Sequence, residues 1–112
     1  MTAQLLDTLN KTPGVLGSAY LCGADEVYDL GEGIGGNDAI PLVRSAAEAC
    51  ARWMKSPGGR TFENAIFVGQ MGRILARPAG AGMLIAFAEN EASAGLLKLR
   101  MVEAADRIGQ AA

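Results

Sequence analysis

Apolar positions along this chain switch between helical and strand spacing several times. Leu5, Leu6 and Leu9 recur at helical intervals in residues 2–11, with Thr2 placed to cap that helix and "TPG" at 12–14 placed to end it. "VLGSAYLCG" at 15–23 is rich in strand formers, and "ADEVYDL" follows it, which predicts a hairpin turning around Gly23–Asp25. Glycines crowd 31–36. Asn37 or Asp38 then caps a long helix that carries Pro41 in its first turn, where a missing N–H is tolerated. "SPGGR" at 56–60 breaks that helix. "FENAIFVG" (62–69), "GRILARP" (72–78) and "GMLIAFAE" (82–89) read as strands joined by the turns "QMG" and "AGAG", an antiparallel meander. A final helix follows, with Asn90 as its expected N-cap and Glu91 suited to its positive end. Ala94, Leu97, Met101, Ala104 and Ile108 form its core stripe, flanked by Leu99 and Val102. Lys98, Arg100, Glu103, Asp106 and Arg107 face water.

Two of these segments constrain the architecture. Met83 to Ala88 is apolar at every position, whereas a sheet with one wet face would alternate. This strand is therefore expected at the centre of the sheet, with helices on both sides. The long helix ending near Lys55 carries two apolar stripes. Ile40, Val43, Ala47, Cys50 and Met54 form one; Leu42, Ala46, Ala49 and Trp53 form the other. Arg44, Glu48, Arg52 and Lys55 gather opposite. The apolar arc is wider than packing on one surface requires, so the second stripe lacks a partner within the chain, and its alanines would let another helix approach closely. Trp53 fits either a core position or a contact anchor.

The 112 residues, half of them hydrophobic and 20% charged, suit a single domain spanning 1–112. A net charge of −2 without a Lys/Arg cluster argues against nucleic acid as a partner. "MTAQLLDTLNK" lacks the features of a signal peptide, and no apolar run approaches the roughly 20 residues a membrane span needs. A cytoplasmic protein without a membrane partner is expected. Cys22 and Cys50 read as reduced, buried thiols. The chain has no histidine, which removes the commonest general base and metal ligand together with Ser-His-Asp and Cys-His systems. No catalytic residue, metal or cofactor is expected.

"LGEGIGG" at 30–36 spells the dinucleotide fingerprint G-x-G-x-x-G through Gly31, Gly33 and Gly36. That fingerprint works in a parallel βαβ unit, with an acid about 20 residues on to hold the ribose. Near that distance stand Trp53, Met54 and Lys55, while Glu32 and Asp38 would repel a phosphate, and the neighbouring strands read as antiparallel. These are loop glycines. Asp25, Glu26, Asp29 and Glu32 form an acidic edge, read as a solvated face that also protects an edge strand. Arg73 and Arg77 alternate along one strand and mark either a partner surface or exposed charges.

The phrases "TPGVLGSAYL" (12–21) and "GRILARPAGAGMLIAFAENEASAGLLKLRMVEAADRI" (72–108), with this order of elements, resemble the Roadblock family of dynein light chains and their prokaryotic relatives. The resemblance spans nearly the whole chain. It implies an α+β fold of Roadblock/longin/profilin type, order αββαβββα. A five-stranded antiparallel sheet would carry the middle helix on one face and the terminal helices on the other. It also implies a homodimer or heterodimer in which middle helices lie side by side and third strands meet edge to edge. The interface would then hold Leu42, Ala46, Ala49, Trp53, Phe62, Asn64, Ile66 and Val68. The loop "GEGIGGNDAIP" is richer in glycine than the family pattern.

Prokaryotic members commonly work with small Ras-like GTPases, some as activators without catalytic groups of their own. The expectation is therefore a homodimeric, non-enzymatic module that regulates or scaffolds such a GTPase, with Arg44, Glu48, Arg52 and Lys55 on the partner face. A small-molecule sensor, marked by a cavity with convergent polar groups between sheet and helix, and a cytoskeletal or motor-associated scaffold are the alternatives.

Overall fold

Among the residues described by a computed structural model (2–23, 25–31, 36–55, 65–68 and 72–111), three α-helices and five strands follow one another. They are α1 (Thr2–Asn10), β1 (Val15–Cys22), β2 (Asp25–Leu30), α2 (Ile40–Lys55), β3 (Ala65–Val68), β4 (Arg73–Ala79), β5 (Gly82–Ala88) and α3 (Ala94–Ala111). A short 3-10 turn, Gly36–Ala39, leads into α2. The strands form one antiparallel sheet in the order β2-β1-β5-β4-β3. Its topology is that of an α+β domain.

The apolar run Met83–Ala88 is buried throughout and lies between β1 and β4. Its alternate residues serve two different cores, because successive side chains of a strand point to opposite faces. Leu84, Ala86 and Ala88 join Leu5, Leu6 and Leu9 of α1 and Leu97, Met101, Ala105 and Ile108 of α3. Met83, Ile85 and Phe87 join Ala19, Ala76, and Val43 and Cys50 of α2. Helices thus cover both faces, α1 and α3 on one and α2 on the other.

Polar contacts lock α1 to the sheet. Ser18 is fully buried on β1 and donates its hydroxyl to Asn10 Oδ1 at 2.7 Å, while Asn10 Nδ2 donates to the Asp29 carbonyl at 2.9 Å. The end of α1 is thereby tied to both β1 and β2. The connection after α1 depends on Gly14, whose φ is 89° and whose absent Cβ would lie 2.4 Å from Ala92 Cβ. Glu89 donates its amide to the Gly14 carbonyl at 2.8 Å, closing the same contact from the other side.

The start of α3 differs from the sequence expectation. Asn90 is not its N-cap; it stands in the turn before the helix, where its carbonyl accepts a hydrogen bond from Arg73 Nη2. Ser93 caps instead, its hydroxyl accepting the Leu96 amide at 3.3 Å, three residues on as an N-cap requires.

Candidate functional site

Helix α2 begins at Ile40 with Pro41 in its first turn, as the sequence predicts. Its first apolar stripe is filled by its own subunit: Val43 and Cys50 are buried against the sheet, and Ala47 packs at the margin of that core. The second stripe behaves differently at each position. Leu42 is 51% exposed and Ala49 half-buried, whereas Ala46 packs against the margin of the α2-side core. Ala46 therefore serves its own sheet as well as the stripe beside it. The side chains of Trp53 and Met54 lie outside the described residues.

Of the expected partner face, Arg44, Glu48 and Arg52 are exposed; the Lys55 side chain lies outside the described residues. Arg44 is also tied down. Its Nε and Nη2 each donate to a carboxylate oxygen of Glu26 on β2 at 2.9 Å, and the Tyr28 hydroxyl donates to Glu26 Oε1 at 2.8 Å. This fork-on-fork geometry is the strong form of an ion pair. The hydrogen bonds from Arg44 and then Tyr28 hold the Glu26 carboxyl down at about 2, from an ordinary 4.5. Burial, then the bond to Glu26, pushes the Tyr28 phenol up.

The acidic edge read from the sequence is thus not uniformly solvated: Asp25 is exposed, Asp29 is half-buried, Glu26 clasps the middle helix, and Glu32 lies outside the described residues. Sequence reasoning missed Glu26 and Tyr28 as a unit with Arg44. The available signal was their shared position on one strand face, two residues apart. Beside this cluster opens a cleft of about 860 Å³ between α2 and the tips of the β1–β2 and β4–β5 hairpins, with Glu26, Arg44 and Glu48 among its polar walls and Leu21, Ala47 and Met83 among its apolar ones.

Among the described residues, strand β3 is one edge of the sheet and pairs with β4 alone. Ile66 stands opposite Leu75 and Val68 opposite Arg73. Phe62 and Asn64 lie outside the described residues. Helix α2 packs on β4 and β5, next to that edge.

The remaining sequence candidates have structural roles. Gly31 donates its amide to the Leu16 carbonyl, and a Cβ there would come within 2.4 Å of the same oxygen. Gly36, at φ 56°, donates its amide to the Gly31 carbonyl. The strand before these glycines is antiparallel and at the sheet edge, so it opens no βαβ unit. Arg73 and Arg77 are half-buried, on the α1–α3 side with Leu75. Cys50 is a buried free thiol, pushed up by burial, and Cys22 is a half-buried one. Among the described residues, no group of three or more Cys, Asp or Glu side chains is placed to hold a metal ion. No helix among them is long and apolar enough to cross a membrane.

No protein-family model matches the chain. The uncharacterized protein MJ0310 of Methanocaldococcus jannaschii is 32% identical over 111 residues, which cover 96% of this chain and 96% of that protein. Myxococcus xanthus MglB superposes with a TM-score of 0.79 at 19% identity, over 98% of this chain and 93% of MglB. A Roadblock/LC7 domain from Streptomyces avermitilis superposes at 0.75 with 16% identity, over 97% of this chain and 95% of the domain.

Proposed function

This chain belongs, with its archaeal relative, to a family of Roadblock/LC7 fold, and from that premise we propose that it is a homodimeric, non-enzymatic module that regulates or scaffolds a small Ras-like GTPase. One observation carries the reading. Helix α2 fills its own core with Val43 and Cys50, yet leaves Leu42 half in water beside Ala49, next to an open sheet edge. A second copy would cover that stripe. Leu42, Ala46, Ala49 and Trp53 would meet their equivalents across a two-fold axis, and the stretch bearing Phe62, Asn64, Ile66 and Val68 would extend the sheet edge to edge.

The paired helices would present two sets of Arg44, Glu48, Arg52 and Lys55 to the GTPase. Because Glu26 holds Arg44, Glu48 and Arg52 are the better placed of the described charges to engage a partner. An activator of this kind works by ordering the GTPase's own switch segments, or by adding a positive charge at the transferred phosphate.

The reading is tested by co-purification with Ras-like GTPases encoded in the same genome, in both nucleotide states, alongside sedimentation of the protein alone. A dimer that retains one GTPase in a nucleotide-dependent way supports it. A monomer at high concentration, or binding to none of the GTPases, refutes it. Hydrolysis rates in the complex then separate activator from scaffold.

The cleft beside Glu26 and Arg44 favours a second reading, a small-molecule sensor, because polar and apolar walls converge there. Thermal-shift screening against metabolites tests it, and the absence of any stabilising compound dismisses it.

A further inference from the structure

On the sheet face opposite α2, helices α1 and α3 enclose a groove of about 320 Å³. Its floor is apolar, with Leu5 and Leu9 from α1 and Leu96 from α3. Its lining is basic: Lys11, Arg100 and Arg107 stand there with Glu103, while Asp7, outside the lining, pairs with Lys11. This excess runs against the chain as a whole, whose net charge is −2. We propose that the groove docks an acidic amphipathic helix of a partner protein.

Three features of the site point to that chemistry. The apolar floor flanked by cations matches a ligand with apolar residues flanked by carboxylates, the usual arrangement when a helix lies in a groove. Arg100 and Arg107 are seven residues apart on α3, two turns or roughly 10.5 Å along the helix. Carboxylates seven residues apart on a ligand helix repeat that spacing. The cations already in the lining are only lightly engaged. Lys11, just past the end of α1, meets Asp7 at 3.4 Å and Arg100 meets Glu103 within α3 at 3.0 Å, both as exposed local pairs. Such pairs add little and exchange readily for a carboxylate brought by a ligand.

The groove and α2 lie on opposite faces of the sheet, so this site and the proposed GTPase surface succeed or fail separately. The probe is a fluorescein-labelled helical peptide with leucines at i, i+3, i+4 and i+7 and glutamates seven residues apart, titrated with the full chain by anisotropy. Arg100→Glu and Arg107→Glu are the test variants; both sites are exposed, and circular dichroism checks that the fold is kept. Saturable binding is expected, weakened about tenfold by either substitution and weakened again on raising salt from about 50 to about 200 mM. A peptide with lysine in place of glutamate should regain affinity for the double variant.

The same titration followed by amide NMR should move signals of α1 and α3 and leave α2 still. No saturable binding below about 1 mM overturns the proposal, as does binding that ignores both substitutions. Tighter binding of a single-stranded oligonucleotide would identify a polyanion site instead. Groove signals that move with protein concentration alone would show that a second copy covers it. Either result also overturns the proposal.

Discussion

Arg44 on α2 grips Glu26 on β2 through two parallel hydrogen bonds of 2.9 Å, across 18 residues of sequence. The helix on which the proposed interface sits is thereby fastened to an edge strand as well as packed on the sheet's centre. The pair has a pH signature. Glu26 titrates near 2 when folded against an ordinary 4.5, so unfolded chains bind its proton more readily. Its contribution to stability is complete above the ordinary value and is lost as pH falls towards 2. A carbon-13 titration of the Glu26 carboxyl should give that low midpoint, and Arg44→Gln should raise it towards 4.5. A wild-type midpoint at the ordinary value would show that the pair does not persist in solution.

Ser18 has no water to fall back on. Its hydroxyl is wholly buried and satisfied by Asn10. Ser18→Ala strands Asn10 Oδ1 without its donor and should lower unfolding free energy by about 1–3 kcal/mol. Thr8→Ala removes a hydroxyl bonded on the exposed face of α1 and should change stability by no more than about 0.5 kcal/mol. Urea denaturation of both variants checks the contrast.

Leu84 and Leu42 separate the core from the proposed interface. Leu84 is fully buried at the middle of β5, so Leu84→Ala should cost about 2–5 kcal/mol at any protein concentration. Leu42 is 51% exposed in the single chain. Leu42→Asn should leave the protomer's fold intact while dissociating the proposed dimer, and Ala49→Glu should do the same. Sedimentation velocity against concentration reads the second effect. Both variants sedimenting as the wild type does would remove α2 from the interface.

Much of this arrangement was legible beforehand, and the reason differs by element. Met83–Ala88 announced a strand covered on both faces because an uninterrupted apolar run has few other ways to be stable. The two stripes of α2 followed from helical periodicity, yet Ala46 turned out to share in its own core, since an alanine near a stripe boundary is small enough to be claimed by either side. Asn90 is the cap the sequence predicts for α3, yet Ser93 takes that place. Asn90 is instead held in the preceding turn through its carbonyl contact with Arg73, a tertiary bond invisible in one dimension. The Arg44–Glu26 clasp is hidden for the same reason: it joins side chains that only the fold brings together. The basic groove between α1 and α3 was equally out of view, since each helix alone shows only an ordinary wet face.

The two thiols should differ in reactivity. Cys50 is buried against the sheet and burial pushes its ionisation up, so little thiolate forms near neutral pH. Cys22, at the end of β1, is only half-buried. A colorimetric disulfide reagent should modify Cys22 first, with Cys50 following only as the chain opens in denaturant. Equal rates in native buffer would show that α2 lifts from the sheet.

Two glycines with similar backbones should respond unequally to alanine. Gly14 and Gly23 both have positive φ, 89° and 61°, which an L side chain adopts at a cost of about 1 kcal/mol. Among the described residues nothing lies within 4 Å for a new methyl at Gly23 to meet, so Gly23→Ala should show that backbone penalty alone. At Gly14 the methyl would sit 2.4 Å from Ala92 Cβ, forcing apart the loop after α1 and the turn before α3. The hydrogen bond that the Glu89 amide donates to the Gly14 carbonyl would go with it. Gly14→Ala should therefore lose more stability than Gly23→Ala by about 1–3 kcal/mol, the range of overpacking. Ala92→Gly, which removes the clashing methyl, should recover part of the difference in the double variant. Additive losses from Gly14→Ala and Ala92→Gly would mean that the two segments do not meet as described.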